Sequence, residues 1–498
     1  MLFNSQIFIF LFLPLALIGW YLLNHFKLYR VALVYISGMS LWFYGYFNPW
    51  YLLIICASIL GNYLISFIMS KIKGNTGTKV LMWIGIAFNV GILGYYKYYD
   101  FAISNINAIF NSDFSLKHII LPLGISFFTL QQLSYIIDRS WGTAPHYDIV
   151  DYIAFVTFFP QLIAGPIVLH SELIPQFKDV SKRKFNVSSF TDGVILFALG
   201  LMKKVLLADS IALFVNEGFD KVWYLDTVSA WLISLGYAIE LYFDFSGYCD
   251  MAVGIGKMFN LELPVNFKSP FKSHSVPEYW QRWHYTLTRF WQTYIFTPLT
   301  MKGMRQKNKT VKKIFGIFTP IVVFLISGIW HGASWTFVIW GLCEGIATVW
   351  AKRKFWKIPK KNPFALICTF LFTVFTSAIF RSENWDVMCK MLKCMFVPSF
   401  SKIFIELTGA FCEMPEFNAV SKLISMRNPG LLNILCPLIW LTFMVISFVI
   451  IRGRNAHEIL AFQKSKGFGI CFTILLAVGT FWSIISLNSI STFLYFNF

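Results

Sequence analysis

Two histidines stand where chemistry is expensive to keep. His284 lies in WQRWHYTLTRFWQTYIF and His331 in IWHG, both inside runs otherwise dominated by aromatic and aliphatic residues. An ionisable side chain at membrane depth carries a free-energy cost, so its presence marks a functional site by default. A neutral imidazole can take the proton of a hydroxyl as that oxygen attacks an acyl carbonyl, and its near-neutral pKa suits the task. His331 fits such a base; His284 fits the group that orients the acceptor or hydrogen-bonds the developing oxyanion. The competing reading of any buried histidine is a hydrogen-bonded structural residue. It weighs less here because Trp280, Trp283, Trp291, Trp330, Trp335 and Trp340 flank the pair. Trp280, Arg282, Trp283, Arg289 and Trp330 are the candidate substrate-binding residues of this stretch. A metal site is disfavoured, since two histidines without a third ligand at fixed spacing do not make a metal set.

The composition dictates what kind of element positions them. The chain of 498 residues is 57% hydrophobic and only 13% charged, with a mean hydropathy of +0.62. That is more apolar surface than a soluble fold can bury, so the expectation is an all-α multi-pass membrane protein, residues 1–498 forming a single membrane domain. The net charge of +18 comes from Lys and Arg clustered in short stretches between apolar runs. This is the pattern of membrane topology, and it excludes a nucleic-acid footprint. The nine cysteines fit neither a zinc spacing nor a disulfide framework and receive no role. The first apolar run, from Ile7 to Leu23, lacks the flanks of a cleavable signal.

Apolar runs begin near Ile7, Val31, Tyr51 and Val80, and the loops between them alternate in charge. The positive-inside rule puts the loops with Lys27 and Arg30, and with Lys71, Lys73 and Lys79, in the cytoplasm. PLGISFFTLQQLSYIID, with Gln131, Gln132 and Asp138, is too polar to face lipid and should be buried in protein or line a cavity. The run from Tyr152 to Phe177 is broken by Pro160, Gly165 and Pro166 and reads as kinked or re-entrant. Farther on, Lys203, Lys204 and Asp209 interrupt one apolar run, and Glu240, Asp244 and Asp250 another. Glu240 and Asp244, four apart, share a helical face. They either pair with Lys203 or Lys204 or line a reaction chamber.

Around the histidines, Ser275, Pro277 and Glu278 form a helix start. Trp280, His284, Leu287 and Trp291 then recur at helical spacing, which predicts one short helix from Glu278 to Ile295, tilted, re-entrant or interfacial. Basic stretches (302–313 and 352–361) bracket an apolar segment that must go out and return. Two short arms, 314–330 and 334–350, would place His331 and Gly332 at the turn, far from the cytoplasm.

The motifs WQRWHYTLTRFWQTYIFTPL, SGIWHGASWTFVIWG and YFDFSGYCDMAVGIGKMFNLELPVNFKSPF resemble the membrane-bound O-acyltransferase (MBOAT) superfamily, within its alginate O-acetyltransferase-like branch. That branch includes peptidoglycan O-acetylating proteins and, more distantly, the D-alanyl transfer protein of teichoic acids. PLGISFFTLQQLSYIID, FFPQLIAGPI, GLMKKVLLADS and AIFRSENWDVMCKMLKCMF extend the resemblance through most of the chain. The resemblance implies a ring of tilted and re-entrant helices around a central tunnel, and it carries the family's essential histidine pair onto His284 and His331. It also implies acetyl-CoA as acyl-donor substrate, with no bound cofactor. The partners it implies are membrane lipid, an extracytoplasmic O-acetyltransferase and a cell-envelope polysaccharide acceptor, in a bacterial inner membrane. Tyr495, in an extracytoplasmic tail (488–498), resembles the tyrosine of similar aromatic tails in this branch and in a small partner of the teichoic-acid system, where it is proposed as an acyl carrier; an interfacial aromatic anchor is the other reading. Two further classes remain: a transporter with a proton relay through the intramembrane His, Glu and Asp residues, and a non-catalytic scaffold of a polysaccharide machine.

Overall fold

The computed structural model describes residues 1–72, 74–352, 362–488 and 493–494. Among them every regular element is helical, and six helices are long and apolar enough to cross a membrane. The chain is therefore an all-helical, multi-pass membrane protein. Its residues group into two compact units, each assembled from discontinuous segments.

The first unit comprises residues 1–197, 249–265 and 286–297. Its helices start at Phe8, Tyr29, Trp50 and Asn75, close to the positions that hydropathy indicates. Several polar side chains inside it pair with one another, as an apolar surrounding favours. Gln132 on the helix Ile125–Trp141 is fully buried; its amide donates to Ser58 Oγ at 2.9 Å and its carbonyl accepts from the Tyr152 hydroxyl at 3.1 Å. The expected burial of this segment follows directly. The interrupted run after it forms the short helices Ile149–Thr157, Phe159–Leu162 and His170–Lys178, kinked as its prolines require. Asp138, which also belongs to the first unit, accepts the Tyr294 hydroxyl at 2.9 Å and lies 2.9 Å from His170 Nε2.

The second unit comprises residues 198–248, 266–285 and 298–498. Its centre is a helical hairpin, Lys309–His331 and Trp335–Lys352, whose two helices pack along their length. Glycine makes this approach possible: a Cβ at Gly328 or Gly341 would fall on the carbonyl oxygen of Phe337 or Phe324, and one at Gly345 would lie 2.8 Å from Ile321 Cα. Gly341 and Gly345 are spaced as in close-packed membrane helix pairs. The hairpin turn falls at His331 and Gly332 as expected, but the first arm is longer than expected. It has 23 residues, about 34 Å, enough to cross the hydrocarbon, so His331 stands at the far end of a full span.

Candidate active site

The residues around His284 depart from helical periodicity. In place of one helix there are two, Val276–Trp280 and Tyr285–Trp291, with a break at residues 281–284. Ser275 caps the first helix by accepting the Glu278 amide at 3.3 Å, as its spacing predicts. The break is held by the neighbouring extended segment. Lys268 donates its amide to the Arg282 carbonyl, and Tyr285 donates to the Asn266 carbonyl, both at 2.9 Å. These bonds compete successfully with helix continuation and leave His284 with φ +44°, a left-handed conformation costing about 1–2 kcal/mol for a residue with a Cβ.

His284 is fully buried, with Nδ1 3.1 Å from Asn266 Oδ1. An amide oxygen accepts, so Nδ1 carries the proton and Nε2 keeps its lone pair. The residue lies outside the candidate spans, and burial alone drives its pKa down to about 3, which holds the ring neutral. The Phe245 ring meets it edge-on, with centroids 4.8 Å apart.

His331 ends its helix with 4% exposure, enclosed by the rings of Trp330, Trp340 and Phe380 at centroid distances of 4.9, 5.3 and 5.2 Å. Trp330 connects the pair, since its ring also lies 6.4 Å from that of His284. On one side His331 borders a small void, shared with Trp280, Trp283 and Glu344. Trp280 donates its indole N–H to Glu344 Oε2 at 2.9 Å. Glu344 was not singled out from sequence; its signal was a lone acid in the apolar run of the second arm.

Beyond His331, Gly332 opens onto a larger cavity of about 690 Å³, lined by Lys204, Asp209, Glu240, Asp244, Ser334 and Arg381 among others. The helices Lys309–His331 and Pro363–Arg381 both start beside basic stretches and end at this cavity. Lys204 lies 2.7 Å from Asp209 and 2.6 Å from Asp244, so the lysine–acid pairing is present, while Glu240 lines this cavity. A π-helical stretch, Lys203–Ala208, carries Lys204; such local widening of a helix is frequent at functional sites. Phe493 packs on Tyr248 at 4.4 Å and under the Lys204 ammonium at 4.8 Å. Leu494 lines the cavity; Tyr495 itself lies outside the described residues.

The five candidate binding residues have separate fates. Trp280 and Trp283 border the void with His331, and Trp330 links the histidines. Arg282 is held by Glu278 at 2.8 Å. Arg289 belongs to the first unit, where Glu172 grips it with both oxygens. No group of three or more His, Cys, Asp or Glu suited to a metal ion occurs among the described residues.

Fold and site together define a multi-spanning helical membrane protein with two histidines buried among aromatic rings. The membrane-bound O-acyltransferase family pattern matches residues 144–364. Over its full length the chain is 37% identical to a peptidoglycan O-acetyltransferase of Helicobacter pylori, covering 98% of that protein. It is 35% identical to the probable alginate O-acetylase AlgI of Pseudomonas aeruginosa, over 80% of this chain and 75% of the relative. A teichoic acid D-alanyltransferase of Bacillus subtilis is 24% identical over 52% of this chain and 69% of its own. The chain belongs to the membrane-bound O-acyltransferase family, and it is an acyltransferase.

Proposed function

We propose that the protein transfers an acetyl group from a cytoplasmic thioester, acetyl-CoA, to a hydroxyl presented on the outer side of a bacterial inner membrane, for O-acetylation of a cell-envelope polysaccharide. The observation that carries this reading is the position of His331: it ends a full membrane span and lies between an aromatic-lined void and a polar cavity at the end away from the basic loops. In the reaction the hydroxyl oxygen bonds to the thioester carbonyl carbon and the C–S bond breaks. His331 takes the hydroxyl proton and returns it to the leaving sulfur, so protons balance. With Nδ1 engaged by Asn266, His284 offers Nε2 as an acceptor; it suits orienting the attacking hydroxyl better than donating to an oxyanion.

Tyr495 is the proposed acyl carrier. Leu494, immediately before it, lines the outer cavity, and a phenol forms an ester once a base removes its proton. An extracytoplasmic O-acetyltransferase would then take the group onward to peptidoglycan or an exopolysaccharide such as alginate, the acceptors that the relatives' names specify. The buried Lys204, Asp209, Glu240 and Asp244 also suit a proton path, the basis of a transporter reading. Thioester consumption by the purified protein separates the two. Turnover lost on His331→Ala supports transfer; turnover retained removes the base role, and no turnover with any acyl-CoA favours transport.

A further inference from the structure

Cys412 and Cys436, 24 residues apart in sequence, bring their sulfurs to 3.6 Å. Cys412 belongs to the short helical turn Gly409–Glu413, and Cys436 to the first turns of the membrane helix Leu432–Arg452. Bulky rings on either side fix this approach. Phe411, fully buried, packs on Phe443 of the membrane helix at 5.8 Å, and Phe404 meets Trp440 edge-on at 5.4 Å. The Ser421 hydroxyl donates to the Cys412 carbonyl at 3.2 Å, tying the following helix Pro415–Arg427 to the same turn. The two thiols therefore meet in a packed setting, at a register set by their neighbours. The S–S bond of a disulfide is roughly 2.0 Å, so the sulfurs must close by about 1.6 Å to form one.

Charge assigns the compartment. The helix Pro363–Arg381 follows one basic stretch, and the helix Leu432–Arg452 runs into another, Arg452, Arg454, Lys464 and Lys466. The segment between them, 382–428, carries as many acids as bases. By the positive-inside bias the segment is extracytoplasmic, so Cys412 meets Cys436 at the extracytoplasmic end of the membrane helix. That side of a bacterial inner membrane is oxidising, and disulfides persist there.

We infer that Cys412 and Cys436 form a disulfide that ties the extracytoplasmic segment 382–428 to the membrane helix Leu432–Arg452. Each thiol loses a proton and an electron as the S–S bond forms; both electrons pass by thiol–disulfide exchange to the disulfide of an extracytoplasmic oxidase, which leaves as a dithiol. Reduction frees the segment that supplies Ser382 and Glu383 to the outer cavity.

The test uses the unaltered chain. Cells are quenched in acid, the protein is denatured with N-ethylmaleimide so that every free thiol is capped, and peptides are mapped by mass spectrometry without reductant. The expected result is a linked Cys412–Cys436 peptide that disappears when reductant precedes capping. Recovery of both cysteines as maleimide adducts overturns the inference, as does linkage of either one to a different cysteine. In Cys412→Ser, Cys436 should become maleimide-reactive; if it stays uncapped in the denatured chain, the pairing is wrong.

Discussion

Leu494 donates its backbone N–H to Asp244 Oδ2 at 3.0 Å, so this residue lines the cavity that opens at Gly332, next in sequence to His331. Asp244 is shared, since the same carboxylate group also holds the Lys204 ammonium. The bond brings Leu494, the residue that precedes Tyr495 in sequence, to the cavity beside the proposed chemistry.

Tyr495→Phe keeps the ring and removes the nucleophile. Slow thioester hydrolysis by the purified protein should persist, while acetyl transfer to the envelope falls to background. Glycan mass spectrometry on cells carrying the variant measures this, and an acetylated peptide containing residue 495 should be recoverable from the wild type alone. Full glycan acetylation by the variant removes the tyrosine from the route.

His284 makes two demands, one on its backbone and one on its imidazole. Asparagine tolerates the left-handed region, so His284→Asn should fold and unfold thermally like the parent while losing transfer by about 100-fold or more. His284→Val should lose stability as well, because a β-branched residue resists φ near +44°. Thermal melting in detergent beside a thioester assay separates the two effects; a fully active asparagine variant would dismiss the imidazole.

Lys204 and Asp244 are each only 2% exposed, and breaking such a pair strands a charge. Lys204→Met leaves Asp209 and Asp244 facing each other without their cation and should cost about 3–5 kcal/mol. Lys204→Met combined with Asp244→Asn should recover part of that loss, which a double-mutant cycle of chemical denaturation reads as non-additivity. Strict additivity would mean that the two side chains do not interact.

Gly341→Leu drives a branched side chain into the Phe324 carbonyl and must part the hairpin. Overpacking of this sort typically costs about 1–3 kcal/mol, and the rigid backbone opposite leaves little room for relief. Expression in the membrane should fall and the melting temperature drop, whereas Gly316→Leu, with open space at its Cβ, should behave like the parent.

Hydropathy and loop charge made the membrane architecture and the hairpin turn at His331 legible, because crossing hydrocarbon imposes length and composition on any sequence. The break at His284 was hidden because Trp280, His284, Leu287 and Trp291 satisfy the helical period on either side of it; the bonds from Asn266 and Lys268 that interrupt the helix come from residues with no periodic signature. Arg289 reads as a substrate-binding candidate because helical spacing cannot announce Glu172, a partner 117 positions earlier. Similarly, the acids on the Thr227–Met258 helix are visible in the sequence as costly residues, but which lysine Asp244 meets, Lys204 on the π-helical stretch Lys203–Ala208, is not. The cysteines were dismissed on spacing alone, and the approach of Cys412 to Cys436 depends on aromatic packing that spacing does not encode.

The left-handed backbone at His284 has a consequence for how the position can change over generations. Residues at ease in that conformation, glycine and asparagine, lack an imidazole; most residues of comparable bulk strain the turn. Every single replacement therefore forfeits either the fold of the turn or the proton chemistry proposed for it, and on that proposal no neutral intermediate connects histidine to another solution. Drift at this codon should be close to frozen, even where the surrounding aromatic residues exchange freely among themselves.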